Sequence, residues 1–591
     1  MKKIIYLIVF SFTVLTSCDL DDYLNKTPLD SITDVDYWKS ASDLQLYVNQ
    51  FYTMLPQFPS WGGGYLWEDN NSDNMASRFY DNRLAGTNTI TTNNGSWDYS
   101  RIRSINIMLK KYKEMSVSES EIAPYVGEAY FFRAFAYFNL VRQYGDVPYV
   151  SQVLTPDSEE LFAARTPRKE VIDYILDDLS QAIEKLPPKA ASTRNRINKE
   201  SALLYKSRVA LYEGTWEKYH QETVFGVKGS NGQEYLEIAA SAAKQLMDMN
   251  TIELYSTGNP EVDYASLFNR DDLSGIGEVL LSRDYNISLN TVHNLQRYTT
   301  SGAGTGLTKS LIESYLCEDG KPISLSPLYR GDKSLEMVVE NRDPRLRQMI
   351  YWKEGEPRRT QNGVLVPGYE FTRPYIDQGG EGGNTTGYML KKGLDTESRG
   401  QPDPNASETS MPIFRYAEAL LNYAEAKAEL GTITQNDIDL TINKIRSRSA
   451  MPSLNLHSIA NDPDWQFPEL SPIINEVRRE RRIELACEGY RADDLLRWRA
   501  HHLIVGKRPL GYWFDKDFWT GVQDSEDNYV DGGPLLIPGK DIFVNEDGYL
   551  DPYQKNLPNG FGFKPDRDYL YPVPPAQISL NGELTQNPGW E

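Results

Sequence analysis

The sequence predicts a mainly α-helical protein: a tetratricopeptide-like helical scaffold that carries a large irregular, loop-rich lobe with minor β structure. Three observations lead there. Apolar residues recur at helical spacing in several segments before residue 250 and after residue 410. Small residues such as Ala202, Ala210, Ala239, Ala240 and Ala243 stand in those segments where helices must approach closely. Between them run long stretches rich in Gly, Ser, Thr, Pro and Asn, where no helix longer than a few turns is expected.

At the start of the chain, Lys2 and Lys3 precede an apolar run from Ile4 to Leu15. At about twelve residues it is too short to span a bilayer and has the length of a signal-peptide core, so residues 1–17 read as an export signal. The run closes on Leu15-Thr16-Ser17-Cys18, which resembles a bacterial lipobox and makes Cys18 the expected lipidation site and first residue of the mature chain. Each buried methylene of an acyl chain contributes about 0.8 kcal/mol, so a multiply acylated terminus anchors stably, and the expected membrane contact is through that lipid only. Asp19-Leu20-Asp21-Asp22 resembles the surface-export signal of Bacteroidetes-type lipoproteins. The expected location is therefore the outer membrane, lipid-anchored and exposed on the cell surface, with residues 18–40 as an extended arm.

The body is expected over 41–591, with scaffold at about 41–55, 100–250 and 410–500 and lobe at about 55–100, 250–410 and 505–565. Residues 566–591 form a C-terminal segment. In the scaffold, Tyr130, Ala134, Tyr137, Phe138 and Val141 form one stripe of a helix over 125–144 that ends at Gly145-Asp146-Val147-Pro148. Val171, Ile172, Ile175, Leu176, Leu179, Ala182, Ile183 and Leu186 form the next, stopped by Pro187-Pro188 because proline lacks the donor to continue. Segments 199–213 and 233–249 repeat the pattern. Helical spacing returns at 412–430, before Gly431, then at 435–449 and 472–499. Helix pairs of this length suit a stack in which each covers the apolar face of its neighbour. The irregular stretches, with Ser301-Gly302-Ala303-Gly304-Thr305-Gly306 and Gly379-Gly380-Glu381-Gly382-Gly383, are too long for linkers and read as functional loops.

Composition removes several functions. With 62 Lys and Arg against 83 Asp and Glu, the net charge is −21, which repels phosphate backbones and makes nucleic acid an unsuitable partner. Hydrophobic residues at 40% and charged ones at 25% exclude a disordered chain and a multi-span membrane protein. Cys317 and Cys487 form no C-x-x-C or Cys/His pair and read as buried thiols. Among His220, His293, His457, His501 and His502 there is no H-E-x-x-H, and no nucleophile elbow, P-loop or dinucleotide fingerprint occurs. The chain is therefore expected to have no enzymatic activity, no catalytic residue and no cofactor. Asp69-Asn70-Asn71-Ser72-Asp73-Asn74 imitates the start of an EF-hand loop, but Asn74 replaces the glycine and Tyr80 stands where a bidentate Glu belongs. A polar turn is the reading, so a structural calcium ion is not predicted. Asp524–Asn528 and Asn545–Gly548 read as solvated loops.

A series of strings then resembles one family. They are Glu128-Ala129-Tyr130-Phe131-Phe132-Arg133-Ala134, Asn341-Arg342-Asp343-Pro344-Arg345-Leu346 and Arg415-Tyr416-Ala417-Glu418-Ala419-Leu420-Leu421-Asn422-Tyr423-Ala424-Glu425-Ala426. Ile442–Arg448, Glu480–Leu485 with Glu488–Arg491, Asp494–Trp498, Tyr571-Pro572-Val573-Pro574 and Gln586–Trp590 follow in order. Together they resemble the SusD/RagB family of nutrient-uptake lipoproteins of the Bacteroidetes outer membrane. The resemblance implies a tetratricopeptide-type core, a glycan-binding face made by loops, no catalysis, and a SusC-like TonB-dependent barrel as partner. Some members of the family resemble peptide binders, so a RagB-type peptide-capture lipoprotein is the alternative, with a mainly structural lid of the transporter as another. Taken physically, Glu480, Glu484 and Glu488 recur every four residues beside Arg481 and Arg482, spacing that suits ion pairing within the architecture.

A sugar offers apolar C–H patches on its ring faces and hydroxyls around its rim, so a capture site needs exposed aromatic planes flanked by amides, carboxylates or guanidinium groups. Trp61, Tyr65 and Trp67 surround a glycine run; Arg78 follows, and Trp97 and Tyr99 come after Asn93-Asn94-Gly95. Tyr285, Arg297 and Tyr298 lie in weakly periodic sequence further on. These nine are the ligand-binding candidates, whereas Trp38 and Trp498 read as core. The negative body makes a neutral oligosaccharide or polysaccharide the default ligand.

Overall fold

Helical periodicity becomes helix where one apolar face is buried, with side-chain caps at some starts, such as Ser40 and Asn198, and a glycine at some ends, such as Gly145. The structure, a computed structural model, describes residues 37–91, 97–398, 400–401, 403–515 and 536–591. The export signal, Cys18, the acidic tract behind it, Asn93-Asn94-Gly95 and Asp524–Asn528 lie outside the described residues. Helix α1 (Ala41–Asn49) opens with a capping box in which the Ser40 hydroxyl accepts from the Asp43 amide and the Asp43 carboxylate accepts from the Ser40 amide. It is followed by α2 (Ser100–Lys111), α3 (Glu119–Tyr144), α4 (Arg168–Lys185), α5 (Lys199–His220) and α6 (Gln233–Asp248). These pack in series, α2 on α3, α3 on α4, α4 on α5 and α5 on α6. The irregular middle holds only short helices, α7 (Leu295–Thr299), α8 (Lys309–Ser314), α9 (Leu335–Val339) and α10 (Pro344–Met349). Then come α11 (Tyr416–Glu429), α12 (Gln435–Leu440), α13 (Ile442–Arg448), α14 (Pro472–Glu484), α15 (Arg491–Arg497) and α16 (Pro575–Leu580). Helix α11 packs on α5 and α6, and α14 packs on α11, so the later helices extend the earlier stack.

Strand content is small, as expected for this fold class. Among the described residues four two-stranded antiparallel pairs are formed: β1 (Met75–Ser77) with β3 (Thr305–Leu307), β2 (Val279–Arg283) with β8 (Met411–Arg415), β4 (Glu356–Pro357) with β7 (Glu370–Phe371), and β5 (Thr360–Gln361) with β6 (Val364–Leu365). Buried apolar residues fall into two clusters. One joins the scaffold helices; the other gathers Phe58, Leu66 and Met75 with Leu295, Leu307 and Tyr351 and with Tyr512, Phe514 and Leu550. Cys317 and Cys487 are both buried.

Helix α3 starts at Glu119 rather than 125 and α5 runs on to His220 rather than 213, and three further boundaries differ from the periodicity. Ile413 is on β8, not on a helix, because Met411–Arg415 pairs with β2, and the helix begins only at Tyr416, whose amide donates to the Glu278 carbonyl at 2.9 Å. The segment over 435–449 breaks at Thr441, with φ −128° and ψ −89°. The longest expected helix, over 472–499, is two helices, because Cys487 (φ 58°) and Gly489 (φ 80°) turn the chain through left-handed conformations between α14 and α15. Glu488 therefore lies past the end of α14.

That turn completes a buried ionic lattice. The Glu484 carboxylate accepts from Arg415 at 2.6 Å, from Arg448 at 2.5 Å and from Arg345 at 3.0 Å. Glu480 pairs with Arg345 and Arg446, and Glu488 with Arg415 and Lys392, all at 2.7–2.9 Å. Arg481 and Arg482 reach carboxylates elsewhere, Asp494 at 3.0 Å and Asp73 at 3.2 Å. Burial opposes ionisation of Glu480, Glu484 and Glu488, but the surrounding guanidinium and ammonium groups prevail and hold all three carboxyls below their usual value.

Candidate functional site

Trp67 is placed by the glycine run before it. Trp61 lies just before a 3₁₀ helix over Gly64–Asn71, and the Trp67 indole folds back over Gly62 and Gly63. A β-carbon on Gly63 would lie 2.4 Å from the indole Cδ1 and Nε1, so only glycine permits this approach. The far face of the arrangement is Tyr298, from α7, whose ring meets Trp67 edge-on at 4.8 Å between centroids. The Tyr298 hydroxyl sits between the Gly62 amide and the Glu381 carboxylate; burial and the Glu381 charge raise its pKa. Tyr65 is on the same 3₁₀ helix.

The two glycine-rich stretches meet as main chain. Gly302 donates its amide to the Gly382 carbonyl at 2.8 Å and Gly304 to the Gly383 carbonyl at 2.9 Å. A β-carbon on Gly302 would lie 2.1 Å from the Gly383 carbonyl carbon. Arg78, just after β1, donates its amide to the Gly304 carbonyl at 3.1 Å, and its side chain runs along Gly304. The result is one face. Its accessible groups are Arg297, whose guanidinium is 5.8 Å from the Trp61 ring, then Trp61, the half-buried Trp67, Glu381, Arg78 and Phe79, with the Tyr298 ring buried behind Trp67. Trp61 is 52% exposed and Phe79 78% exposed.

Beside this face opens a cavity of about 480 Å³ lined by Trp67, Phe79, Tyr80 and Tyr571, by the amides of Asn70, Asn71, Asn82 and Asn88, and by Glu68, Asp81 and Arg83. Arg83 donates to the Asp568 carbonyl at 2.6 Å and to the Tyr569 carbonyl, and its guanidinium lies 4.5 Å from the Tyr571 ring. In this way the C-terminal segment is fastened to the cavity wall. Aromatic planes beside amide and carboxylate groups suit a polyhydroxylated ligand: C–H faces stack on rings, and hydroxyls meet N–H donors and oxygen acceptors.

Not every candidate joins this face. Arg78, Arg297, Tyr298, Trp61 and Trp67 do. Tyr285 stands apart: its hydroxyl accepts from the Phe58 amide at 2.7 Å, its ring packs on Phe58 and His293, and burial pushes its pKa up to about 12. It pins the loop that leads to Trp61. Trp97 and Tyr99 belong to the scaffold, because α2 starts at Ser100 and carries them onto it. The Trp97 ring lies 4.9 Å from Tyr144, the Tyr99 hydroxyl donates to the Pro148 carbonyl at 2.9 Å, and both line a separate apolar cavity of about 690 Å³ with Leu154, Phe162 and Leu584. The sequence reasoning missed Phe79, Tyr80, Asn82 and Tyr571. The run Arg78-Phe79-Tyr80-Asp81-Asn82-Arg83, which mixes aromatic and polar side chains directly after a short strand, was the available signal.

The EF-hand-like stretch has other work. The Asp69 carboxylate is buried and accepts from the Asn74 side chain and the Cys487 amide, both at 2.8 Å. Asp73 is bound by Arg491 at 2.6 Å. The two carboxylates engage different partners, so this stretch is a tie between loop and helices.

With the geometry established, known proteins can be compared. Residues 278–590 match the model described as SusD family, and residues 22–211 match one described as "Starch-binding associating with outer membrane". The chain is 25% identical over 578 residues to SusD-like protein P2 of Formosa agariphila, covering 93% of this chain and all of that one. A SusD-like protein of Bacteroides ovatus is 21% identical over 514 residues, 84% of this chain and 80% of that one. Among solved structures, a SusD-like carbohydrate binding protein of Bacteroides fragilis superposes with a TM-score of 0.68 at 23% identity, over 93% of this chain and all of its own. A second SusD-like protein from that species gives 0.69 at 24% identity, over 95% and 100%. The family model spans more than half of the sequence, so this chain belongs to the SusD family.

Proposed function

We propose that the protein is a non-catalytic glycan-binding lipoprotein: it captures oligosaccharides on the aromatic face around Trp67 and passes them uncleaved to a SusC-like TonB-dependent transporter in the outer membrane. The observation that carries this reading is the set of accessible rings of Trp61, Trp67 and Phe79, with buried Tyr298 backing Trp67, beside the amide-lined cavity whose wall includes Trp67 and Phe79. Rings of this kind hold a sugar by stacking, and the asparagines select among its hydroxyls. The printed names of relatives support the ligand class: a similar structure is a carbohydrate binding protein, and one matching family model refers to starch and to the outer membrane.

Anchoring through Cys18 would keep this face close to the membrane. Among the described residues no helix is long and apolar enough to cross a bilayer. Fatty-acid labelling of cells expressing the full chain tests the anchor: the wild type takes up label, and Cys18→Ala does not. Co-purification from solubilised outer membranes tests the barrel partner. Ligand class is tested by titrating the purified chain against polysaccharides and peptides in parallel. Binding to glycans that is lost in Trp67→Ala supports the reading; binding to peptides alone overturns it.

A further inference from the structure

We infer that the glycan held on this face is anionic, bearing uronate or sulfate groups, and that Arg78 and Arg297 are the residues that select it. The inference rests on the glycan reading above and reverses the neutral default set by the overall charge of −21.

Buried arginines of the scaffold and of the irregular middle are engaged with carboxylates: Arg345, Arg415, Arg446 and Arg448 each meet at least one acid within 3.0 Å. Arg78 and Arg297 are exposed, and among the described residues neither meets a carboxylate at ion-pair distance. Each instead lies beside one of the two exposed rings of the face, Arg297 at 5.8 Å from Trp61 and Arg78 at 5.7 Å from Phe79. In a chain with so large an excess of acid, guanidinium groups without an acidic partner are available to a ligand.

Of the carboxylates nearby, Glu381 is engaged by the Tyr298 hydroxyl and Asp81 accepts from the Leu84 amide at 2.9 Å, while Glu68 is exposed on the cavity wall; among the described residues none of the three pairs with Arg78 or Arg297. A guanidinium offers a planar fork of donors that matches a carboxylate or sulfate, and its charge strengthens the bond. A ring-plus-guanidinium pair fits an acidic sugar: the ring takes the C–H face and the fork takes the acid group. The face repeats this pair at both ends, Trp61 with Arg297 and Phe79 with Arg78, as an oligosaccharide with acid groups along its length would require. Local cations override the global field at contact distance, because the repulsion from distant carboxylates is screened within about 10 Å at ordinary salt.

The test is a titration series with the purified full chain on an array of neutral, uronate-bearing and sulfated polysaccharides, with carboxyl-reduced and desulfated counterparts of each acidic one. Binding confined to acidic members is expected, weakened about tenfold or more by removal of the acid groups and by raising NaCl from about 50 to about 500 mM. Arg78→Ala and Arg297→Ala should each lower affinity for the acidic polymer by about tenfold, with Lys at either position restoring part of it, while thermal unfolding stays unchanged. Equal binding of the reduced or desulfated polymer, or full affinity in both variants, overturns the anionic assignment and leaves the glycan reading standing. No binding to any member of the array overturns both.

Discussion

The scaffold and the loop face use the same residue type in opposite ways. Inside the protein, Arg415 and Arg448 of the scaffold and Arg345 of the irregular middle converge on one carboxylate, Glu484. On the face, Arg78 and Arg297 stand in solvent beside bare rings. A buried guanidinium must have its donors met, by acid as at Glu484 or by main-chain oxygens as at Arg342, which donates to the Ile312, Tyr315 and Val338 carbonyls, whereas an exposed one costs the fold little and keeps its donors available. On the proposed function, that difference is the one between architecture and recognition.

The most severe way to break the comparison is Glu484→Ala, which strips a shared carboxylate from three buried guanidinium groups. Removing one member of a buried pair costs about 3–5 kcal/mol, so denaturant unfolding should show at least that loss. If the lattice is what the scaffold relies on, acid attacks it too. Glu480, Glu484 and Glu488 are held below their ordinary value of 4.5, so the stability they contribute is complete above that pH and is lost as pH falls through their lowered values. Unfolding curves from pH 7 down to pH 3 should show a declining midpoint; a flat profile would mean the lattice contributes no net pairing.

The face is probed by smaller effects. Trp67→Ala should weaken glycan binding by roughly tenfold, about 1.4 kcal/mol, with the unfolding midpoint close to wild type. Gly63→Ala sharpens the point, because its β-carbon would occupy the place of the Trp67 indole at 2.4 Å. It removes no ligand contact, yet a loss of about fivefold in affinity is expected from displacing the ring, read by the same titration and by a change in tryptophan fluorescence. The smallest effect closes the series: Arg78→Ala and Arg297→Ala should each alter folding stability by less than about 0.5 kcal/mol, as for exposed residues outside any network. A larger loss in either would assign that arginine to the architecture.

The scaffold was the legible part of the sequence. Val171 through Leu186 spell their helix because one face is buried along its length, and Pro187-Pro188 ends it. The end of α14 was harder to see: a left-handed Cys487 has no compositional signal, and Gly489 sits inside an otherwise helical pattern. The glycine run around Trp61 and Trp67 and the stretch at Arg297–Gly304 were legible as loops, and in the structure they meet, glycine beside aromatics marking close approach of a ring to main chain. Tyr571 could not be placed, since it joins Phe79 and Tyr80 only through the Arg83 clamp on Asp568 and Tyr569. Trp97 and Tyr99 misled for the opposite reason: the polar run before them resembles a loop, but the helix that follows takes both rings to the scaffold.

The junction of the two glycine loops is closed mainly by amide and carbonyl groups, with the Ser301 hydroxyl also reaching across to the Glu381 carbonyl at 3.5 Å, and this has an implication for how such a surface changes over time. The main-chain bonds of Gly302 and Gly304 ask nothing of the side chains displayed around them, so exposed neighbours outside the joint can be exchanged while the frame keeps its shape. On the proposed function, a different glycan is then met by rewriting letters on a fixed page, with the helices behind left untouched.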